Sequence, residues 1–550
     1  MKYTQIKPSS SEIPVPSAGI LNTFLDSNDN KLKSIDSNGN VKLLMDSNLT
    51  PNLQHSTDSG NKTTDKITVA NINLSSTKLY TDNNAASVDL DGNVTYRLPM
   101  QSPDSYYPLG ISKASWDLGV TIPSNDLTAH IDYANTIKFV IEWGDGSFDT
   151  ITSGFNTTHT YATAGNYTIS MYGSLVNAYI SLYNLSPKIT STSAIKGIQG
   201  VNNYSFRGCS SLTSIPADLF KYSPNVNSFD NIFQSCSSLT SIPADLFKYS
   251  PNVNSFDNTF QSCTSLTSIP VDLFKDKPNL QNLFFTFYGC TSLTSIPADL
   301  FKYNINITNF DWLFVGCTSL TSIPADLFKY NIKANTFTNT FGWTTITSIP
   351  IGLFDLQPLV SSFYYTFSGC SSLTSIPADL FKYNINVTAF CETFSGCSSL
   401  TSIPADLFKY NVNLTSTSIN NGGLFSYCTS LVSIPADLFK YNVLITAFSN
   451  TFYNCTSLTS IPADLFKYNV IVNNFMGLFG GCSSLTSIPA DLFKYQTFVY
   501  YFNFAFYGCT GITGAVPALW LLFPYYGQLC YHGDTNASNY NEIPANWKDY

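Results

Sequence analysis

The side chains best suited to chemistry are thirteen cysteines and four histidines, His55, His130, His159 and His532. Eleven of the cysteines hold one place in a recurring phrase, first met as CSSLTSIPADLFKY. They run Cys209, Cys236, Cys263, Cys290, Cys317 and onward to Cys509, with Thr344 taking the same place in one copy. No CxxC pair or Cys/His cluster has the spacing of zinc ligands or of a redox pair. If successive copies stack as rungs roughly 4.8 Å apart, the sulfurs form a column. Distance then permits disulfides, but parallel side-chain directions oppose them. The column is therefore expected to be buried free thiol, acting as a small apolar group. No metal and no cofactor are expected.

A second ladder pairs an acid with a base. Asp218 and Lys221 begin it, three residues apart, and it breaks only at Gly352 and Asp355. A charged binding strip is one reading. The other is first-turn charges aligned with a helix dipole plus pairing between rungs, each weak at a surface. The histidines are scattered, with no triad order, no GxSxG and no glycine-rich phosphate loop. The expectation is a protein that is not an enzyme. A net charge of −9 and a pI near 4.9 argue against nucleic acid, whose phosphates demand clustered Lys and Arg. No stretch reaches 18 consecutive apolar residues, so no membrane insertion is expected.

The elements that must carry these columns follow from the period. The proline of IPADLF falls at 216, 243, 270, 297, 324, 350, 377, 404, 435, 462 and 489, spaced 27 residues apart except for steps of 26 and 31. A fixed period of this length marks a solenoid. Within a unit, SLTSI (211–215) alternates like a short strand, and Pro216 ends it. PADLFKY has the composition of a first helical turn, and Val226, Phe229 and Phe233 sit three and four apart, the stripe of a short helix. Gly208 and its equivalents turn the chain into the next strand. The expected architecture is a parallel sheet on one side and short helices on the other, each unit stabilised by its neighbours.

The phrase FYGCTSLTS from Phe287 resembles the hallmark of BspA-like leucine-rich repeats, over about residues 200–513. The resemblance implies a surface or adhesion role. Thr344, Gly352 and Asp355 fall in one degenerate repeat expected to bend the stack. On so regular a frame, positions that vary are candidates for recognition. A candidate binding surface of Phe284, Phe285, Trp312, Tyr364, Tyr365 and Phe504 is expected along one flank, to stack on sugars or bury against a partner; the alternative is that these rings tuck inward. The 31-residue step adds a loop around residues 420–423.

Residues 137–172 contain a Trp143-Gly144-Asp145-Gly146 turn, then His159-Thr160-Tyr161 and Gly165-Asn166-Tyr167. In this order they resemble a polycystic-kidney-disease (PKD) domain, an immunoglobulin-like β-sandwich. The resemblance implies that Trp143 fills the core and Asp145 fixes the turn. Residues 22–44 alternate short apolar strands with Asn/Asp/Gly turns and resemble the base of phage virion fibres. The fold class expected is thus multidomain and β-rich: an attachment base (1–60), a small β shoulder (61–108), a PKD-like sandwich (109–176), a leucine-rich-repeat solenoid (195–513) and a cap (514–550). Two lysines near Met1 precede no apolar run of signal-peptide length, which favours a protein made in the cytoplasm and carried outside on a virion. The leading expectation is a head fibre or capsid decoration of a tailed phage, found on the virion surface. Its expected partners are capsid proteins bound through the N-terminus, sister chains in a dimer or trimer, and host-surface or mucosal glycans. A phage tail fibre or a bacterial BspA-like surface adhesin is the alternative.

Overall fold

In the computed structural model the described residues are 114–134, 139–151, 155–173, 179–182, 185–195, 206–419, 422–524 and 526–548, with short strands between 22 and 95. The chain divides into two units, residues 1–114 and 115–550.

In the first unit, β1 (Asn22–Leu25) pairs antiparallel with β2 (Lys31–Ile35), and β2 with β3 (Val41–Asp46). These strands fall on the apolar segments of residues 22–44. Two further antiparallel pairs follow, β4 (Tyr80–Thr81) with β5 (Asn84–Ala85) and β6 (Ser87–Val88) with β7 (Val94–Thr95). The attachment expected of residues 1–60 otherwise falls outside the described residues.

The second unit begins with a β-sandwich. Its strands are β8 (Ala114–Ile122), β9 (Thr128–Ala134), β10 (Phe139–Glu142), β11 (Phe148–Ile151), β12 (Asn156–Thr160), β13 (Gly165–Gly173), β14 (Tyr179–Ser181) and β15 (Ile189–Thr192). One sheet runs β11-β10-β13-β8-β15 and the other β12-β9-β14. Alternate residues point into the core: Trp116, Leu118, Val120 and Ile122 from β8, and Ala129, Ile131 and Tyr133 from β9. That period of two is what packs one face of each sheet. The strands continue to Thr192, past the expected boundary at 176. Trp143 is buried; its indole N–H donates to Asp149 (3.0 Å), and its carbonyl accepts from the Tyr161 hydroxyl (2.9 Å). Asp145 caps its turn by accepting from the Ser147 amide (2.9 Å), and it bonds the His159 ring at 2.7 Å. Burial would raise this carboxyl, but the Ser147 and His159 hydrogen bonds outweigh it and hold it at about 2.

Eleven rungs then stack, one per IPADLF phrase. Three columns of buried phenylalanine run through them, as in Phe220 to Phe247 (6.0 Å), Phe229 to Phe256 (5.8 Å) and Phe233 to Phe260 (5.6 Å), each pair near-parallel. The expected short helices are not there: no helix occurs between residues 206 and 518 among the described residues. The reason lies in the backbone of 228–236. Alternate amides leave the rung, Phe229 donating to Ser255, Asn231 to Asp257 and Phe233 to Thr259 (2.9–3.2 Å). Those between close i→i−3 turns, Ile232 to Phe229 and Gln234 to Asn231. Asn231 and Ser235 also hold left-handed backbone, at φ 60° and 62°. An α-helix needs every amide for itself and no such residue. The apolar spacing of three and four was therefore real, but it came from turns.

The expected strand is displaced as well. Thr213 to Ile215 is not a strand, and it is joined to the next rung by long bonds from the Thr240 amide and hydroxyl to the Thr213 carbonyl (both 3.5 Å). The parallel bridge falls instead at Ser228↔Ser255 and repeats through Asn474↔Tyr501. Pro216 opens single i→i−3 turns, with Leu219 bonding Pro216 and Lys221 bonding Asp218.

The ends are closed differently. At the N-terminal end the sandwich covers the first rung: Trp116 packs edge-on against Phe206 at 5.4 Å, and the Ile195 amide donates to Leu219. At the C-terminal end, residues expected to depart from the repeat carry it further. Phe504, Phe506 and Gly508 donate to Gln528, Cys530 and His532, and Tyr531 stacks on Phe506 at 5.7 Å. Tyr531 thus extends a phenylalanine column in a sequence with no IPADLF to announce it, and Trp547 covers its ring.

Candidate binding face

All thirteen cysteines are free and buried. Each ladder thiol from Cys236 to Cys509 donates to a phenylalanine carbonyl of the preceding rung, as Cys236 does to Phe206 and Cys263 to Phe233 (3.2 Å). Burial pushes Cys290, Cys370, Cys428 and Cys482 up to about 12, so these thiols hold no nucleophilic thiolate at neutral pH. Thr344 fits their column because its hydroxyl donates to Phe341 (2.8 Å) and lies 3.4 Å from the Cys370 sulfur. Two further polar ladders escaped the sequence reading. Asn304 donates to the carbonyls of Phe274 and Lys277 (2.8 and 2.9 Å), a pattern continued by Asn331, Asn384, Asn411, Asn442 and Asn469. Thr259, Thr286, Thr340 and Thr393 do the same one turn later. The Asn that follows KY in six of the eleven rungs was the signal of the first ladder. These ladders satisfy buried carbonyls that rung-to-rung pairing leaves over.

Among the described residues no three His, Cys, Asp or Glu side chains are placed to hold a metal. From the second rung onward, rung six excepted, the Asp/Lys ladder forms exposed ion pairs within the turn, such as Asp299–Lys302 at 3.6 Å and Asp437–Lys440 at 3.4 Å. Each lysine also lies over the tyrosine that follows it, at 5.4–5.9 Å, except Lys275, which is followed by Asp276 and lies over Tyr303 of the next rung. One lysine is different. Lys277 stands in the buried asparagine ladder, its ammonium donating to the Asp276 carbonyl (3.2 Å), and burial lowers it to about 8.

The six aromatic candidates fall into three groups. Phe284, Phe285 and Trp312 meet: Phe284 to Phe285 is 4.2 Å, Phe285 to Trp312 is 5.2 Å, and Tyr288 joins at 5.2 Å. Tyr364 and Tyr365 lie two rungs beyond Trp312, beside Cys391 and Glu392. Burial and the Glu392 carboxylate push the Tyr365 hydroxyl up to about 12, and burial raises Glu392. Phe504 stands apart near the cap, 5.8 Å from Tyr507. All six are half-buried or exposed.

Their backbone was not legible. Phe285, Trp312, Tyr365 and Phe504 have φ of 56–60°, in one column with Asn231, Asn258, Asn339, Glu392, Asn450 and Gly477. Four residues along each rung, a second left-handed column is filled mostly by Gly, Ser and Asn, yet it carries Trp343 and Tyr427 at φ 58° and 59°. Asn and Gly adopt this conformation readily, whereas a bulky side chain there costs about 1–3 kcal/mol. Trp343 lies against Gly369, where a Cβ would stand 3.0 Å from the indole. Tyr427 meets Tyr453 at 5.6 Å. Both belong to the same face, and neither was among the expected residues. A strand-and-helix reading had no way to mark that column.

The solenoid matches the model of the BspA-type leucine-rich repeat region, at residues 176–350, 283–415 and 401–516. Together these span 176–516, more than half of the chain, and the chain belongs to the BspA-type leucine-rich repeat family. No curated protein matches it. Among solved structures, a leucine-rich cell-surface protein of Faecalibacterium prausnitzii is 19% identical, covering 63% of this chain and 83% of its own, with a TM-score of 0.32. A chain of the Drosophila Toll–Spätzle complex is 18% identical over 50% of this chain, with a TM-score of 0.31. This chain spans 37% of that one's length.

Proposed function

We propose that this is a surface-displayed adhesion protein whose repeats present one aromatic face to a ligand. The observation that carries the reading is the set of six aromatic residues, Phe285, Trp312, Trp343, Tyr365, Tyr427 and Phe504, at left-handed positions that Asn, Gly or Ser fill elsewhere, Glu392 apart. Strain retained at a surface, where relief is one substitution away, points to a use for the side chain. Half-buried rings with polar neighbours such as Glu392 suit the apolar faces and hydroxyls of glycans. Catalysis forms no part of this reading.

The membership in a BspA-type family supports the adhesin alternative. The finer reading of a head fibre or capsid decoration draws nothing from the comparisons and rests on the short motif in residues 22–44. The PKD-like assignment of the sandwich rests likewise on its sequence motif and remains part of the proposal.

The test exploits the strain. Trp312→Asn, Trp343→Asn and Tyr365→Asn keep a residue that tolerates positive φ, so each should melt no lower than the parent. The full chain is screened on arrays of mucin-type and microbial-surface glycans, and each variant should lose roughly tenfold in affinity for the glycan retained. Variants that bind as well as the parent, or that lose stability instead, would make the rings structural.

A further inference from the structure

Among the described residues, a long row of exposed apolar side chains lies elsewhere, on the turn that follows each KY. From rung four to rung eleven this edge shows a tyrosine or leucine and, next to it, exposed aliphatic or aromatic side chains: Tyr303 with Ile305, Tyr330 with Ile332, Tyr383 with Ile385, and so on to Tyr495 with Phe498. Rung six is the most apolar, with Ile351 81% exposed and Leu356 and Leu359 about half exposed. Soluble monomers rarely leave so long a strip uncovered. At roughly 4.8 Å per rung it extends for roughly 38 Å. Rung three ends it, with Asp276 where the tyrosine would stand and Pro278 in place of the aliphatic residue.

We propose that this edge packs against the same edge of a second copy, the two stacks side by side, parallel and with rungs in register. Period is the first argument. Every exposed pair recurs at the rung spacing, so only a surface with that same spacing meets all of them alike, and a second copy supplies it. Charge is the second. The chain carries −9 overall, but along this edge the charges cancel, with ten Asp/Lys pairs, one further lysine on rung five (Lys333) and one unpaired acid on rung six (Asp355). Two such edges approach without net repulsion.

Charge also fixes the direction. A two-fold axis across the stacks would run them antiparallel and preserve the lateral order of the columns, setting Asp against Asp and Lys against Lys. An axis along the stacks reverses that order, so the Asp column meets the partner's Lys and Tyr donors. On rung six, where Asp355 replaces the lysine, its carboxyl folds over its own Gly352, 3.4 Å from where a Cβ would stand. Apolar Ile351 and Leu356 are left to make the contact there. The seam shares no residue with the aromatic face, so a dimer would present that face twice and bind multivalent ligands by avidity. The seam itself does not depend on what that face binds.

The test uses the full chain and its buried cysteines. Sedimentation equilibrium should give a dimer at micromolar concentration, and Ile332→Lys with Ile385→Lys should raise its dissociation constant by roughly tenfold or more, with circular dichroism unchanged. Trp312→Asn should leave it unaltered. Because every native cysteine is buried, Ile332→Cys and Val470→Cys can be cross-linked with a short bismaleimide, and each should yield covalent dimers with itself. A monomer at all concentrations would overturn the proposal. So would dimers that ignore the lysine pair, or cross-linking in which Ile332→Cys joins only Val470→Cys and neither joins itself, the signature of antiparallel stacks.

Discussion

Trp143 in the sandwich and Phe363 in the solenoid are both fully enclosed, but by different company. Trp143 is held by Asp149, the stacked His159 ring (5.0 Å) and Tyr161, drawn from strands and turns that meet only when both sheets close. Phe363 lies among Phe354 of its own rung and Phe337, Phe381 and Phe390 of the rungs on either side, at 4.7–6.1 Å. The sandwich core is one cooperative unit. The solenoid core is a sum of rung interfaces, in which any rung can be removed if its neighbours can still meet.

The sharpest way to break this comparison is by deletion. Removing residues 237–263, one whole period, should leave a soluble protein with one fewer rung and a similar melting curve. Removing 237–249 should leave a broken core and little soluble protein. Equal outcomes would mean the rungs do not behave as units.

Point substitutions come next. Phe363→Ala and Trp143→Ala should each cost about 3–5 kcal/mol. Hydrogen exchange should separate them: Trp143→Ala exposes amides of β8 to β15 and spares the distant rungs, whereas Phe363→Ala weakens rungs on both sides of it and leaves the sandwich protected. Loss of protection throughout the second unit in both variants would refute the distinction.

A smaller effect should distinguish the cap. Asp534 is buried with neither carboxyl oxygen hydrogen-bonded, and burial pushes it up to about 8. The native state therefore holds this proton more tightly than the unfolded chain does. Its contribution to stability is full below the ordinary carboxylate value of 3.8 and is lost as pH rises toward about 8. Asp534→Asn should flatten that slope and stabilise the protein at pH 8.5 by on the order of 1–3 kcal/mol. A slope unchanged in the variant would assign it to another group.

The smallest effect is expected at the surface ladder. Asp299→Ala or Lys302→Ala should leave the melting temperature within error, because both groups of this pair are solvated. A clear loss would mean that the ladder helps hold the rungs together.

The sequence determined by itself that a solenoid exists, where its rungs begin, and that the cysteine and phenylalanine positions face inward. A period of 27 with apolar residues at fixed places admits no other way to bury them. It also located the sandwich motif of Trp143, Asp145, His159 and Tyr161, because a turn and its cap are local. It could not determine the path within a rung. Val226, Phe229 and Phe233 suit a helix as well as a series of turns, and the choice falls to amides such as Phe229 and Asn231, which bond to a rung 27 residues away. The same holds for the binding face. Trp312 and Tyr365 were visible as departures from a pattern, but their left-handed backbone, the kinship of Trp343 and Tyr427, and the place of Tyr531 in a phenylalanine column follow from stacking. Only tertiary structure decides them, because the hydrogen bonds that fix each backbone angle come from the next rung.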